Sequence, residues 1–249
     1  MTPPTAPTSR RPVLPGARSG PSAPFRLVPG LVAAVYAALF VAGLYFVTGL
    51  HTAPGLPAPG DSQATIVRYF LVNTQAVRTS VYLSLLAELA LGVLTAIIAG
   101  RLLAQGVAAE LTQIVLFAGF ATALVQTSSH ICEWVLTWPG LGRGAMLGLY
   151  YLLYGLGGPG FSVLMGFLCG AVAIVGSRRG LLPRWIVGVG LVIAVIGAIS
   201  SITFLMPTTF PFTVAIPLTR FPALAWLVAV GLSLPASRVV ARSGGSEAA

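Results

Sequence analysis

The chain has 249 residues, of which 56% are hydrophobic and only 8% are charged, and its formal net charge is +9. A soluble domain carries about 25% charged residues, so this composition excludes a soluble enzyme and a disordered chain. With only two cysteines, a secreted disulfide scaffold is excluded as well. What remains is a membrane protein, in which each spanning helix needs about 20 predominantly apolar residues.

The N-terminal segment, residues 1–27, is rich in proline and arginine and contains no acidic residue. Such a segment cannot bury a core, so we expect a disordered tail. We expect a membrane domain at residues 28–237 and a second short tail at 238–249. The basic residues of the first tail are not interleaved with aromatic residues, so no nucleic-acid partner is expected.

Six apolar runs follow, and they predict an all-α fold, a polytopic bundle of six transmembrane helices. The predicted spans are Leu31–Leu50, Thr79–Gly100, Leu111–Ile131, Phe161–Gly176, Pro183–Phe204 and Pro217–Leu234. The stretch Trp138–Gly160 is apolar but interrupted by proline and glycine. It extends the fourth helix, lies in the membrane interface or re-enters the membrane.

Small residues at four-residue spacing predict where helices approach each other closely in lipid. They form stripes on the second, fourth and fifth spans: Gly92, Ala96 and Gly100; Gly166 and Gly170; Gly190, Ala194 and Ala198.

The arginines predict how the bundle is oriented. One set of span ends carries Arg10, Arg11, Arg18, Arg26, Arg101, Arg178, Arg179, Arg184, Arg238 and Arg242. The opposite ends carry only Arg68, Arg78, Arg143 and Arg220. Because cytoplasmic loops collect positive residues, we expect both termini in the cytoplasm. The predicted location is the bacterial inner (plasma) membrane, with the lipid bilayer as the main partner.

Glu88 is the acidic residue placed deepest within a span. An ionised carboxylate near the bilayer midplane costs about 2.5–3.5 kcal/mol on insertion scales. Glu88 shares the four-residue repeat of Gly92 and Ala96, so it should point into the bundle together with Ser84. It is then either a proton relay, ion site or ligand contact, or a protonated carboxyl that donates a hydrogen bond to a neighbouring helix. We expect no arginine at the same depth.

The outer end of the third span contains a polar cluster in which Gln126, His130, Glu133 and Trp134 share one helical face. His51, the only other histidine, also falls on the outer side. Two histidines and a carboxylate are typical of metal sites, but no further ligand is apparent at a suitable spacing. The alternative is a polar cap with Trp134 and Trp138 in the headgroup belt. No metal, cofactor or catalytic residue is assigned.

Arg178, Arg179 and Arg184 surround the turn between the fourth and fifth spans. A basic cluster at a cytoplasmic membrane surface is first a topology signal. It is also a candidate contact for anionic lipid headgroups.

Several short patterns resemble an uncharacterised bacterial six-helix membrane family, domain of unknown function 4386. They are Gly166-Phe167-Leu168, the loop SRRGLLPRWIVG from Ser177 to Gly188, Arg78-Thr79-Ser80 and Arg101-Leu102-Leu103. The resemblance implies a fold and a location, with no chemistry.

Three functions remain open on the sequence. The preferred one is non-enzymatic binding of a lipid, a small apolar ligand or a partner protein. The alternatives are a small proton-coupled transporter that uses Glu88, and an intramembrane enzyme that uses His130 and Glu133.

Overall fold

The computed structural model describes residues 24–52, 55–206 and 214–235, and within them every regular element is helical. The α-helices are α1 (Pro24–Val47), α2 (Gln63–Val72), α3 (Thr74–Ala104), α4 (Ala109–Val135), α5 (Arg143–Gly155), α6 (Phe161–Arg178), α7 (Arg184–Ser200) and α8 (Ala215–Ser233). A π-helical segment, Leu156–Gly160, joins α5 to α6, and a 3₁₀ turn, Ser201–Phe204, follows α7.

The all-α fold with six spanning helices is confirmed. Among the described residues, six helical runs are long and apolar enough to cross a membrane. Large apolar side chains stay exposed halfway along them, as with Leu89 and Leu124, each 67% exposed, which identifies a bilayer as their surroundings. The two predicted tails lie outside the described residues, except that 24–27 already belong to α1.

The second turn of α1 and the last turn of α8 lie side by side. A Cβ atom added to Gly231 would come within 2.7 Å of the Pro29 carbonyl, and Arg101 Nη1 donates to the Leu234 carbonyl oxygen over 2.7 Å. We call this end of the bundle the terminal end and the opposite end the distal end. Both ends of the membrane domain therefore lie on one side, as an even number of spans requires.

Most of the stretch Trp138–Gly160 extends the fourth helix: residues 138–142 form a turn after α4, and the helical run begins at Arg143. α5, the π segment and α6 form one run of 36 residues, about 54 Å long at 1.5 Å per residue. This length far exceeds the ~30 Å hydrocarbon core. α5 therefore reaches the distal surface, where it packs against α2.

The irregular segment between α5 and α6 frees a backbone carbonyl. The Phe161 N–H donates to the carbonyls of Leu156 and Gly158 rather than to that of Gly157, its usual partner four residues back. The Gly157 carbonyl is thus left for another donor. Gly157 also packs closely on α4, since a Cβ there would lie 2.3 Å from Ser129 Oγ.

The distal end is covered by α2, a helix that the hydropathy pattern did not predict. Ser62 caps it by accepting a hydrogen bond from the Thr65 N–H over 3.2 Å, and Ile66, Tyr69 and Phe70 are buried beneath it. The Tyr69 hydroxyl donates to the Val47 carbonyl over 3.1 Å. Burial raises the pKa of this phenol, so the hydroxyl remains a donor at neutral pH.

Small residues do bring α6 and α7 together. A Cβ on Gly166 would lie 3.0 Å from Gly197 Cα, and one on Gly170 would lie 2.9 Å from Ala194 Cβ. Gly190 packs against both Trp226 of α8 and Ala173 of α6, to which a Cβ would come within 2.6 and 3.0 Å. The close approach predicted for the fourth and fifth spans is confirmed, although Ala198 is exposed and Gly197 takes its place.

The predicted stripe on the second span is wrong beyond Gly92. Ala96 and Gly100 are exposed, and a Cβ on Gly100 would meet nothing within 4 Å. The reason is the helical period: at 100° per residue, each step of four overshoots one face by about 40°. The buried face of α3 instead follows Ser84, Glu88, Leu91, Thr95 and Leu102.

Candidate functional site

A partly open cavity of about 590 Å³ lies in the distal half of the bundle. Its walls come from α1, α3, α4, α5, the π segment and α8, and they are mostly apolar. The segment Leu56–Pro59 forms one side, held by a 2.7 Å hydrogen bond from Tyr150 Oη to the Pro57 carbonyl. The volume falls within the range of about 300–1,000 Å³ typical of small-molecule sites.

Three polar side chains of α4 line this cavity as a hydrogen-bonded chain. Gln126 Nε2 lies 3.2 Å from His130 Nε2, and His130 Nδ1 lies 3.2 Å from Glu133 Oε2. Because an amide nitrogen only donates, His130 accepts at Nε2 and donates from Nδ1 to Glu133. The helical spacing brings the three together, since residues three and four apart are neighbours on one face.

The interpretation of this cluster as a polar cap in the membrane interface is therefore only half correct. His130 and Glu133 are 7% and 4% exposed and turn into the cavity. Trp134 and Trp138 point outward and pack edge to face with ring centroids 5.2 Å apart, as residues of an interfacial aromatic belt do. The prediction that all four residues share one helical face is therefore wrong for Trp134, which is exposed while Gln126, His130 and Glu133 are buried.

Arg220 reaches the cavity from the second turn of α8. Its guanidinium lies over two aromatic rings, 4.7 Å from the Phe161 centroid and 5.3 Å from the Phe40 centroid. Nη2 donates to the carbonyl oxygen of Gly157, the carbonyl that the π segment leaves free. Nε is buried and has no hydrogen-bond partner among the described residues.

Glu88 lies on α3 one turn nearer the terminal end than Ser84, which lines the cavity. It is 3% exposed, so its predicted burial inside the bundle is confirmed. The alternative in which Glu88 donates a hydrogen bond to a neighbouring helix is wrong, because neither carboxyl oxygen has a hydrogen-bond partner among the described residues. Arg220 is close enough to interact electrostatically with this carboxyl, although the described residues contain no ion pair between them. The buried Tyr36 hydroxyl lies close to Glu88 and Arg220 and also has no hydrogen-bond partner among the described residues.

His51 does not join the cavity. It is exposed at the end of α1 and packs against the rings of Tyr45 and Phe46, with centroids 5.5 and 4.9 Å away. Within the ranges that the structure describes, no three His, Cys, Asp or Glu side chains come together as a metal site. The possible metal set of His51, His130 and Glu133 is therefore not assembled. Cys132 and Cys169 are free.

Arg178, Arg179 and Arg184 are exposed at the terminal end, around the turn from α6 to α7. This turn is closed by Gly180, which adopts a φ of 62°, a left-handed conformation that favours glycine. The three arginines are thus placed together at one membrane surface, as a headgroup contact requires.

Sequence reasoning missed Arg220, because its position near the start of a span made it one of the arginines used to orient the bundle. One signal was available: Arg220 is the only charged residue between Val214 and Pro235. Gln126 was identified only through its spacing from His130, and Tyr36 was not singled out.

The chain matches no protein family model, and neither a curated protein nor a solved structure matches it.

Proposed function

We propose that this membrane protein binds a small amphiphilic ligand in the distal cavity, without chemical conversion. The observation that carries the proposal is the cavity of about 590 Å³, a mostly apolar space to which Gln126 and Arg220 bring polar side chains. Each of the two has one buried polar atom that the described residues leave without a partner, the amide Oε1 and the guanidinium Nε. One is an acceptor and the other a donor.

A polar group of the ligand would supply hydrogen bonds to the Gln126 amide and the Arg220 guanidinium, which the folded chain leaves only partly hydrogen-bonded. Each buried polar group without a partner costs about 1–3 kcal/mol, and a polar group of the ligand would recover part of this. The apolar part of the ligand would lie against Phe40, Leu44 and Val47 of α1, where burial contributes roughly 25 cal/mol per Å².

The arginine distribution supports a bacterial inner membrane with the terminal end in the cytoplasm. In that orientation the cavity lies in the outer half of the bundle, and its ligand arrives from outside the cell or from the outer leaflet. Membership of domain of unknown function 4386 stays a prediction, supported by the short patterns that resemble it.

Direct binding tests the proposal. Tritiated decanol serves as the probe, the protein is embedded in phosphatidylcholine nanodiscs, and protein-free discs supply the background. Leu44→Trp fills the cavity from α1, whereas Val41→Trp places the same side chain on the exposed face of α1. We expect saturable binding to the wild type and to Val41→Trp and its loss in Leu44→Trp. Equal binding to all three proteins would refute the cavity as the site.

A second candidate, a small proton-coupled transporter, is favoured by Glu88. A buried carboxyl without a partner, one turn beneath a cavity and near Arg220, is suited to exchange a proton when the cavity fills. Proteoliposomes with an entrapped pH dye test this, with decyl phosphate added outside. Transport predicts proton uptake that is lost in Glu88→Gln and kept in Glu110→Gln, which removes an exposed carboxyl at the start of α4. Uptake that is absent from the wild type excludes it under these conditions.

The third hypothesis, an enzyme based on His130 and Glu133, is not favoured by a comparable observation. In the described part of the chain both ring nitrogens of His130 are hydrogen-bonded, to Gln126 and Glu133. No hydroxyl or thiol in that part of the chain is hydrogen-bonded to the ring as an activated nucleophile would be.

A further inference from the structure

Arg220 offers much more hydrogen-bonding capacity than the folded chain uses. A guanidinium has five N–H donors, and the hydrogen bond to the Gly157 carbonyl is the one that the described residues provide. Among the described residues, the one ion pair joins His130 to Glu133. No carboxylate oxygen of these residues therefore lies within 4.0 Å of the Arg220 guanidinium nitrogens.

The guanidinium is nevertheless held in a defined position. The rings of Phe161 and Phe40 lie 4.7 and 5.3 Å from its central carbon, and such contacts bind a cation by its face. The Gly157 carbonyl takes one Nη2 donor. The guanidinium of Arg220, a residue of the cavity lining, is thereby pre-organised, so a ligand does not have to order it.

The nearby carboxylates do not neutralise Arg220 by contact. Glu133 is hydrogen-bonded to His130, and Glu88 lies one turn beyond Ser84, towards the terminal end. An arginine inside the bilayer is costly unless it is paired. A bound anion would supply this pairing.

We propose that the cavity ligand carries a carboxylate or phosphate group that pairs with the Arg220 guanidinium, while Gln126 lies beside it. Arginine is suited to this because its planar fork matches both anions in a bidentate geometry. This inference rests on the proposed function and narrows the ligand to anionic amphiphiles. The same chemistry is offered by a free amphiphilic acid and by the headgroup of an anionic lipid.

The experiment compares three probes that share a ten-carbon chain and differ in their head: decanoate, decanol and decylamine. Binding is measured in phosphatidylcholine nanodiscs for the wild type, for Arg220→Gln and for Arg143→Gln. Arg143 is the matched control, because its removal changes the net charge equally while it lies exposed at the distal surface, bonded to Gln63.

For the wild type we expect decanoate to bind at least about tenfold more tightly than decanol, because a charge-assisted hydrogen bond contributes about 1.5–3 kcal/mol. Arg220→Gln should abolish this preference. Its decanol binding should fall far less than its decanoate binding, because the apolar contacts of Phe40, Leu44 and Val47 remain, which also shows that the cavity is intact. Arg220→Lys should keep a reduced preference, because a point charge replaces the fork. Arg143→Gln should behave as the wild type.

Three results would each overturn the inference. The wild type could bind decanoate and decanol equally, Arg220→Gln could keep the preference for decanoate, or decylamine could bind more tightly than decanoate. Decanol binding that is blocked by Leu44→Trp would still stand as support for the proposed function. The two sources are separated by repeating the decanoate measurement in phosphatidylglycerol nanodiscs. If phosphatidylglycerol competes with decanoate in the wild type but not in Arg220→Gln, the natural ligand is a lipid headgroup. If the affinity for decanoate is the same in both kinds of nanodisc, the ligand is a free acid. Arg220 pairs with the anion in either case.

Discussion

Arg220 on α8 donates a hydrogen bond to the carbonyl oxygen of Gly157, a residue 63 positions earlier in the chain. The carbonyl is available because the π-helical segment shifts the Phe161 N–H to other acceptors. The π-helical segment of one spanning helix thus holds in place an arginine that belongs to another helix. π-segments occur often at functional sites, and here the segment lines the cavity directly.

The first prediction concerns the packing of this segment on α4. Gly157→Ala should lower the thermal midpoint of the detergent-solubilised protein by a few degrees, because the new Cβ would lie 2.3 Å from Ser129 Oγ. Overpacking of this kind costs about 1–3 kcal/mol. Gly148→Ala on α5 is the control, since a Cβ there meets nothing within 4 Å. Adding Ser129→Ala should restore part of the loss, and an unchanged midpoint for Gly157→Ala alone would contradict the close contact.

The second prediction concerns the unpartnered carboxyl. Glu88→Met should keep or raise the thermal midpoint, because it removes a buried carboxyl that the described residues leave without a hydrogen bond. Glu133→Met should lower it by several degrees, because the buried His130 Nδ1 loses its acceptor, at about 1–3 kcal/mol. A loss for Glu88→Met as large as that for Glu133→Met would show that Glu88 is engaged after all.

The third prediction concerns orientation. In a background with Cys132→Ala and Cys169→Ala, Gly60→Cys at the distal end should react with a membrane-impermeant maleimide on intact cells. Ser177→Cys at the terminal end should react only after the membrane is permeabilised, because the arginine bias places that end inside. A reporter fused after Arg242 should be active in the cytoplasm. The reverse labelling pattern would invert the predicted topology.

The fourth prediction concerns the exposed arginines of the α6–α7 turn. Replacing Arg178, Arg179 and Arg184 together by glutamine should reduce the phosphatidylglycerol that is retained on extraction from mixed vesicles. Each basic residue near an anionic surface contributes about 1 kcal/mol. Arg68→Gln and Arg143→Gln together are the distal control. Equal retention by both variants would leave the cluster as a topology signal alone.

The number of spans and the burial of Glu88 could both be predicted from the chain, for different reasons. An apolar run of about 20 residues has no stable place in water, so the six spans follow from local composition. Glu88 was placed inward through a stripe with Gly92, Ala96 and Gly100, of which the last two face outward. The prediction held because Ser84 and Leu91, on the true helical face, surround Glu88.

Composition and hydropathy by themselves determined that this chain is a multi-pass helical membrane protein, because the cost of exposing apolar runs to water depends only on local sequence. The tertiary structure decided which polar residues meet. His130 and Glu133 turn inward, whereas His51 does not. Arg220, which the sequence uses only to indicate topology, lines a cavity in the folded protein. Such roles depend on the neighbours that packing supplies, here the Gly157 carbonyl and the rings of Phe40 and Phe161, which lie far from Arg220 in sequence.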